Sequence, residues 1–135
     1  MNIEETVARQ RQFFMEGKTL SLSYRRDALA RLRQSILTHE ADINAALRAD
    51  LNKSPTESYM CEIGMTLSEL SYVQKHMSRW AKDRRVATPL AQFHAKSFTV
   101  KQPYGVALIM SPRNYPFMLT LDPLIGAIAA GNCCV

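Results

Sequence analysis

Residues 103–135 read PYGVALIMSPRNYPFMLTLDPLIGAIAAGNCCV, and this stretch decides the fold class. After an opening turn signal, residues 106–110 form an uninterrupted apolar run, which is typical of a strand covered on both faces in a parallel sheet. A polar loop separates this run from a helix that fits residues 116–130. Gly131 can end that helix in a left-handed conformation, and Cys133 starts the next apolar segment. The order strand, helix, strand predicts an α/β fold with a parallel sheet.

The region upstream, residues 1–96, is predicted to be mainly helical. The segment NKSPTESYMCEIG at residues 52–64 carries a helix start, with Ser54 as the N-cap, Pro55 at the first helical position and Glu57 completing a capping box. A long helix with one buried seam is expected from there. The seam spans only two heptads, which is too short to favour a coiled coil over packing within the protein. The predicted seam comprises Tyr59, Ile63, Thr66, Leu70, Val73, Met77 and Trp80.

The amino-acid composition excludes several classes of protein. The 135 residues carry 17 Lys and Arg against 12 Asp and Glu, a mild and dispersed excess that does not indicate nucleic-acid binding. Asp122 and Pro123 interrupt the longest apolar stretch, so no membrane span is expected. The acidic N-terminus does not resemble a signal peptide, and the three cysteines lack paired spacing. We therefore expect a cytoplasmic protein.

The spacing of particular residues excludes several kinds of site. The five glycines cannot form G-x-G-x-x-G, and Gly126 with Gly131 lacks the following Lys that a phosphate loop needs. The three histidines show no ligand spacing, so no metal site is predicted. Cys133 and Cys134 fall in an expected buried strand without a basic neighbour. We interpret them as core residues rather than nucleophiles.

The loop SPRNYP, residues 111–116, carries the strongest candidate for a functional residue. Ligands of open α/β sheets bind beyond the carboxyl ends of the strands, which is where this loop is predicted to lie. Asn114 can donate from its carboxamide NH2 toward such a cleft. It can equally cap the following helix, because Asn is a preferred N-cap residue. The position of Asn114 by itself favours the cap.

The wider stretch resembles the aldehyde dehydrogenase superfamily, in which a strand, a W-N-[FY]-P loop and a helix ending in A-A-G-N follow one another. DLNKSPTESYMCEIG and RRVATPLAQFHAKSFTVKQPYG are similar to parts of the shorter, class-3-like branch, so the resemblance covers nearly the whole chain. It implies that residues 1–135 are the N-terminal part of a Rossmann-like cofactor-binding domain. Residues 1–96 would be mainly helical, and residues 97–135 would supply strands, a catalytic loop and a helix.

The resemblance also implies a reaction. In the family a cysteine thiolate attacks an aldehyde, the thiohemiacetal passes a hydride to NAD or NADP, and a glutamate-activated water releases the carboxylic acid. Asn114 is then catalytic, donating its side-chain NH2 to the developing oxyanion. One departure is Arg113, which stands where the family usually has Trp. The residues implied at the cofactor are Met110, Ser111, Pro112 and Arg113, and those implied at the aldehyde tunnel are Tyr115 and Met118.

Other parts of the family's machinery have no counterpart in residues 1–135: the lysine that holds the cofactor ribose, the glutamate base and the G-Q-x-C nucleophile. We therefore expect a truncated chain that is inactive alone and binds cofactor weakly or not at all. The alternative is a non-catalytic interaction module that pairs with itself or with a full-length homologue. A homo-oligomer or homologous subunit is expected in either case, because residues 106–110 would leave an open sheet edge.

Overall fold

Helices account for most of residues 3–80 in the computed structural model, which describes residues 2–135. Two short 3-10 turns, Lys18–Leu20 and Leu90–Gln92, accompany them. The α-helices are α1 (Ile3–Met15), α2 (Leu22–Thr38), α3 (Glu40–Leu51), α4 (Pro55–Ser58), α5 (Gly64–Trp80) and α6 (Pro116–Ala130).

The strands form two separate pairs. β1 (Arg84–Val86) and β2 (Ser97–Thr99) are antiparallel, whereas β3 (Val106–Ala107) and β4 (Cys133–Cys134) are parallel. The connection from β3 to β4 runs through α6, as expected for a strand-helix-strand unit with a parallel pair. The predicted α/β class is confirmed.

Local signals in the sequence place several helix ends correctly. Ser54 caps α4 by accepting from the Glu57 amide at 3.2 Å, and Pro55 occupies the first turn. α6 spans the predicted residues 116–130 and ends at Gly131, whose φ of 93° is left-handed. A residue without Cβ reaches this conformation at little steric cost.

The long helix predicted from Pro55 contains an irregular turn. Between α4 and α5 the backbone forms a π-helical turn over Tyr59–Ile63. The extra residue in this turn rotates the preceding turn relative to α5, so the expected seam does not run straight through it. Tyr59 is 48% exposed, and its predicted place in the seam is wrong, while Glu62 is fully buried. The other seam residues are buried or partly buried against the core.

The apolar run after Gly105 is covered less completely than its composition predicts. Ladder hydrogen bonds reach Ile109, whose amide donates to Val135 O at 2.9 Å, but Leu108 is 69% and Met110 is 83% exposed. Among the described residues, β4 is the only strand paired with β3, and α1 packs along the pair. The expectation that both faces are covered is therefore wrong for residues 2–135.

The core lies between α2, α5 and α6. Arg25 ties the ends of this layer together from its partly buried position on α2. Its guanidinium donates to Thr19 O at 2.6 Å, to Leu20 O at 2.9 Å and to Ala129 O at 3.2 Å. The buried apolar residues are Leu29, Ile36, Ile63, Leu67, Leu70, Val73, Met77 and Ile125.

Candidate functional site

The loop that carries the candidate residues lies between β3 and α6, at the carboxyl end of β3. Its exposed part runs from Met110 to Asn114, and the half-buried Tyr115 leads into the helix. Met118 is half-buried in the first turn of α6. The predicted cofactor and aldehyde residues are therefore contiguous with Asn114 at one end of the parallel pair, where open α/β folds bind ligands.

Asn114 does not cap α6. The N-cap is Tyr115, with φ −136° and ψ 68°, and no side chain of the loop bonds to the first turn. The Asn114 side chain makes no hydrogen bond to any described residue, whereas its backbone carbonyl accepts from Lys53 Nζ at 3.1 Å. The cap interpretation is wrong, and the carboxamide is left exposed with its donors available.

Glu62, from the π-helical turn, supplies the missing cap. One carboxylate oxygen, Oε2, accepts from the amides of Phe117 at 2.8 Å and Met118 at 3.3 Å. A helix N-terminus has unpaired amides and a partial positive charge, so a carboxylate there is doubly favoured. Pro116, at the first helical position, has no amide to satisfy. A residue 55 positions earlier in the chain therefore fixes the start of α6.

Lys53 connects this cap to the loop. Its Nζ donates to Glu62 Oε1 at 2.5 Å and to Asn114 O, and it lies 4.1 Å from the centroid of the Tyr115 ring. The side chain is only 8% exposed. An ammonium carries three donors, so two hydrogen bonds and a contact with an aromatic face leave little of it unengaged.

Neither Lys53 nor Glu62 was predicted from the sequence to be a site residue. A usable signal exists for Glu62, which lies three residues after Tyr59 and four before Thr66. A charged residue at seam spacing is buried only when it is paired or hydrogen-bonded. Lys53 has no comparable signal, because the residue before a helix cap is ordinarily solvated.

The backbone of the predicted cofactor residues is available for a ligand. Met110, Ser111, Pro112 and Arg113 form no backbone–backbone hydrogen bonds with the rest of the described chain. The Ser111 side chain is anchored, since its hydroxyl is hydrogen-bonded to the Thr120 hydroxyl with 2.7 Å between Oγ and Oγ1. An exposed backbone on an anchored loop fits one edge of an extended cofactor.

Cys133 and Cys134 are poor candidates for nucleophiles. Cys133 is buried in β4 and Cys134 is half-buried beside it. Burial raises the pKa of the Cys133 thiol, and burial together with the neighbouring Cys133 raises the pKa of Cys134. Both effects favour the unreactive thiol over the thiolate.

Residues 2–135 contain neither a cluster of metal-ligating side chains nor a membrane-spanning helix. No group of three or more His, Cys, Asp and Glu side chains lies close enough to hold a metal ion. None of the helices in that range has the length and apolar character needed to cross a membrane.

Comparisons with known proteins identify the family to which the chain belongs. Residues 1–135 match the family model described as "Aldehyde dehydrogenase family". The 4,4'-diaponeurosporen-aldehyde dehydrogenase of Staphylococcus aureus is 43% identical over 98% of the chain. The dimeric NADP-preferring aldehyde dehydrogenase of Canis lupus familiaris is 42% identical over 98% of the chain. The chain spans 29% of the length of each relative.

Solved structures agree with this assignment. The substrate-bound state of Staphylococcus aureus AldH superposes with a TM-score of 0.92 at 44% identity, over 99% of this chain and 30% of that one. The glyceraldehyde-3-phosphate dehydrogenase GapN of Methanocaldococcus jannaschii, complexed with NADP, gives a TM-score of 0.82 at 18% identity. The match covers 97% of this chain and 27% of the GapN chain. At 18% identity it shows a shared fold alone.

Proposed function

The chain belongs to the aldehyde dehydrogenase family, and from this we propose that it contributes the N-terminal part of an enzyme that oxidises an aldehyde to a carboxylic acid. In this proposal residues 1–135 are part of the cofactor-binding domain. Residues 1–96 form its mainly helical portion, and residues 97–135 supply strands, the catalytic loop and α6.

Asn114 is the catalytic residue of this segment. A thiolate supplied from outside the described residues adds to the aldehyde carbon, and negative charge moves to the carbonyl oxygen to form a thiohemiacetal. The Asn114 NH2 donates a hydrogen bond to that oxygen as the charge develops. The observation that carries the proposal is the contrast within Asn114, whose carbonyl is held by Lys53 while its carboxamide is exposed and unengaged. Because the backbone that carries this donor is held, less of the residue has to reorganise when the oxyanion forms.

The cofactor of the proposed enzyme is NAD or NADP. The backbone of Met110, Ser111, Pro112 and Arg113 would hold its nicotinamide side, which fits the exposed and anchored loop. A bound nicotinamide would supply the hydride acceptor that aldehyde oxidation needs. The canine relative carries "NADP-preferring" in its name, which supports NADP as one of the two candidates. The exposed side chain of Arg113 does not disturb this assignment, since the contact proposed there is through backbone.

The substrate is a small-molecule aldehyde. Tyr115 and Met118 flank Asn114 on the side of α6 and are half-buried, so they offer mostly apolar surface beside the donor. We propose that they line the entry path of the aldehyde. An apolar wall beside a single amide donor suits a substrate whose polar group is its carbonyl.

Residues 1–135 alone are proposed to lack activity. Cys133 and Cys134 favour the protonated thiol, and Asn114 cannot replace the group that forms the covalent intermediate. Cofactor binding to residues 1–135 alone should be weak or undetectable for a similar reason, since only one loop of the site is present. The three free cysteines are consistent with the cytoplasm, which we retain as the proposed location.

A second candidate function is supported by the exposed apolar residues that follow β3. Leu108 and Met110 leave this edge of the sheet open to another chain. Pairing with a second copy or with a homologous subunit would cover it. This alternative predicts binding to such a partner by residues 1–135 in the absence of catalysis.

The role of Asn114 is tested in the complete gene product by steady-state kinetics of NAD(P)H formation. Asn114→Ala should lower kcat about 100- to 1,000-fold, the usual effect of deleting one oxyanion donor. Gln12→Ala is the matched control, because it removes an exposed carboxamide from α1, outside the loop of residues 110–115 and α6. Unchanged kcat in Asn114→Ala would exclude the proposed role.

A further inference from the structure

We propose that Lys53 and Glu62 are positioning residues that set the orientation of Asn114 toward the substrate. The inference rests on the function proposed above and extends it to two side chains in a different part of the chain. Neither residue is placed to touch substrate, because Glu62 is fully buried and Lys53 is almost so. Their effect on the reaction would be transmitted through the loop backbone.

Both carboxylate oxygens of Glu62 are hydrogen-bonded. Oε2 is occupied by the Phe117 and Met118 amides, and Oε1 is occupied by Lys53. A buried carboxylate with all these partners cannot rotate without leaving a helix amide or an ammonium unpaired. Glu62 therefore fixes the start of α6 immediately after the loop.

Lys53 contacts the loop at its two last residues, Asn114 and Tyr115. Its Nζ bonds to Asn114 O and contacts the Tyr115 ring, so it restrains the two residues that precede Pro116. Asn114 is then held from below by Lys53 and from its C-terminal side by the capped helix. Its carboxamide takes part in none of these contacts and is exposed, so the backbone is restrained while the donor stays available to a ligand.

The buried position of the Glu62 carboxylate depends on an irregular turn of the backbone. The π-helical turn Tyr59–Ile63 brings Glu62 to the interior, and Gly64 follows it directly. A Cβ added at Gly64 would lie 2.8 Å from Tyr59 O, so this turn needs a glycine there. Single π-helical turns within α-helices often mark functional sites.

A purely structural role is the competing interpretation, in which the ion pair only joins α4 and α5 to α6. The two interpretations differ in how the pair couples to Asn114. A positioning role acts through the Asn114 carboxamide and vanishes when that carboxamide is absent. A structural role lowers activity equally whether or not the carboxamide is present.

The test uses the complete gene product with the double substitution Lys53→Met and Glu62→Gln, which removes both charges and keeps the side-chain sizes similar. We expect kcat to fall about 10- to 100-fold, since misplacing a catalytic group by about 1 Å can cost about 100-fold. The KM for the cofactor should stay within about twofold. In the Asn114→Ala background the same double substitution should change kcat by less than about twofold.

Two controls keep the outcome interpretable. Lys18→Met with Glu16→Gln removes the exposed Lys18–Glu16 ion pair, 2.6 Å between Nζ and Oε2, and should leave kcat unchanged. If the Lys53 and Glu62 double variant does not fold by circular dichroism, Glu62→Gln alone is used. Its amide oxygen can still accept from the α6 amides.

The results separate this inference from the function on which it rests. Loss of kcat in Asn114→Ala without loss in the Lys53 and Glu62 variant overturns the positioning role alone. Equal losses with and without the Asn114 carboxamide also overturn it, in favour of a structural role. Wild-type kcat in Asn114→Ala removes the oxyanion function and the positioning role together.

Discussion

Asn132 bonds back to the beginning of the parallel pair, where its Oδ1 accepts from the Gly105 amide at 2.9 Å. Gly105 is buried just before β3, and Asn132 directly precedes β4. One side chain therefore satisfies a backbone donor that the two-strand ladder does not reach. The neighbouring bond from Cys133 N to Gly105 O, at 2.8 Å, continues the same register.

Asn132→Ala should lower the free energy of unfolding by about 1 to 3 kcal/mol, because it leaves the buried Gly105 amide without an acceptor. Asn132→Asp keeps an oxygen at the same position and should retain most of the stability. Denaturant titration of the purified variants measures both values. Similar losses in the two variants would contradict the assignment to Oδ1.

Substitution of two glycines at the C-terminal end of α6 should have opposite effects. Gly131→Ala forces Cβ into a conformation with φ 93° and to within 2.8 Å of the Arg25 guanidinium, so we expect a loss of about 1 kcal/mol or more. At Gly126 an added Cβ meets nothing within 4 Å, and Gly126→Ala should stabilise the helix by about 0.5 to 1 kcal/mol. Thermal denaturation distinguishes the two signs, and a gain in both variants would contradict the predicted strain at Gly131.

Asp122 on α6 should make stability depend on pH. Burial raises the pKa of its carboxyl above 3.8, and the Thr66 hydroxyl opposes this rise without reaching hydrogen-bonding geometry. The ionised carboxylate is then disfavoured in the folded state, so its unfavourable contribution is present above the folded pKa. This unfavourable contribution is lost as the pH falls through the pKa of the folded state toward the pKa of the unfolded state.

The free energy of unfolding of the wild type should therefore rise, relative to Asp122→Asn, as the pH is lowered from 7 toward 3.8. Thr66→Val removes the opposing hydroxyl and should make this rise larger. Equilibrium unfolding at a series of pH values gives the comparison. A difference between wild type and Asp122→Asn that does not change with pH would refute the prediction.

Residues 1–135 expressed alone should self-associate through the open edge at β3. Leu108→Lys puts a charge on that edge and should weaken association about tenfold or more, the equivalent of burying one leucine side chain. Leu90→Lys is the control, because Leu90 is 87% exposed in a 3-10 turn outside the sheet. Sedimentation velocity over a range of concentrations gives the strength of association. Equal association in the two variants would show that β3 is not the contact.

Local signals in the sequence were enough to predict the elements that depend on neighbouring residues. Ser54 with Pro55 predicts the start of α4, and Gly131 predicts the end of α6. At Ser54 and at Gly131 the hydrogen-bond donor and acceptor lie within about one turn of each other. Patterns of three to five residues carry that information.

The candidate site was only partly predictable. The place of Asn114 beyond a strand end follows from the strand-helix order, but its conformation depends on contacts from residues far away in sequence. Glu62 takes over the cap that Asn114 was expected to provide, and Lys53 holds the Asn114 carbonyl from 61 residues away. The π-helical turn at Tyr59–Ile63 has the same origin, since it serves contacts that no local pattern records.

The three carbonyl partners of Arg25 have a consequence for the order of events during synthesis of the chain. Thr19 and Leu20 leave the ribosome before Arg25 does, whereas Ala129 is made 104 residues later. At about 5 to 20 residues per second, roughly 5 to 20 s separate the first two partners from the third. During this interval the Arg25 guanidinium on α2 lacks its third partner, the Ala129 carbonyl. The layer between α2 and α6 therefore cannot close until translation has reached the end of α6.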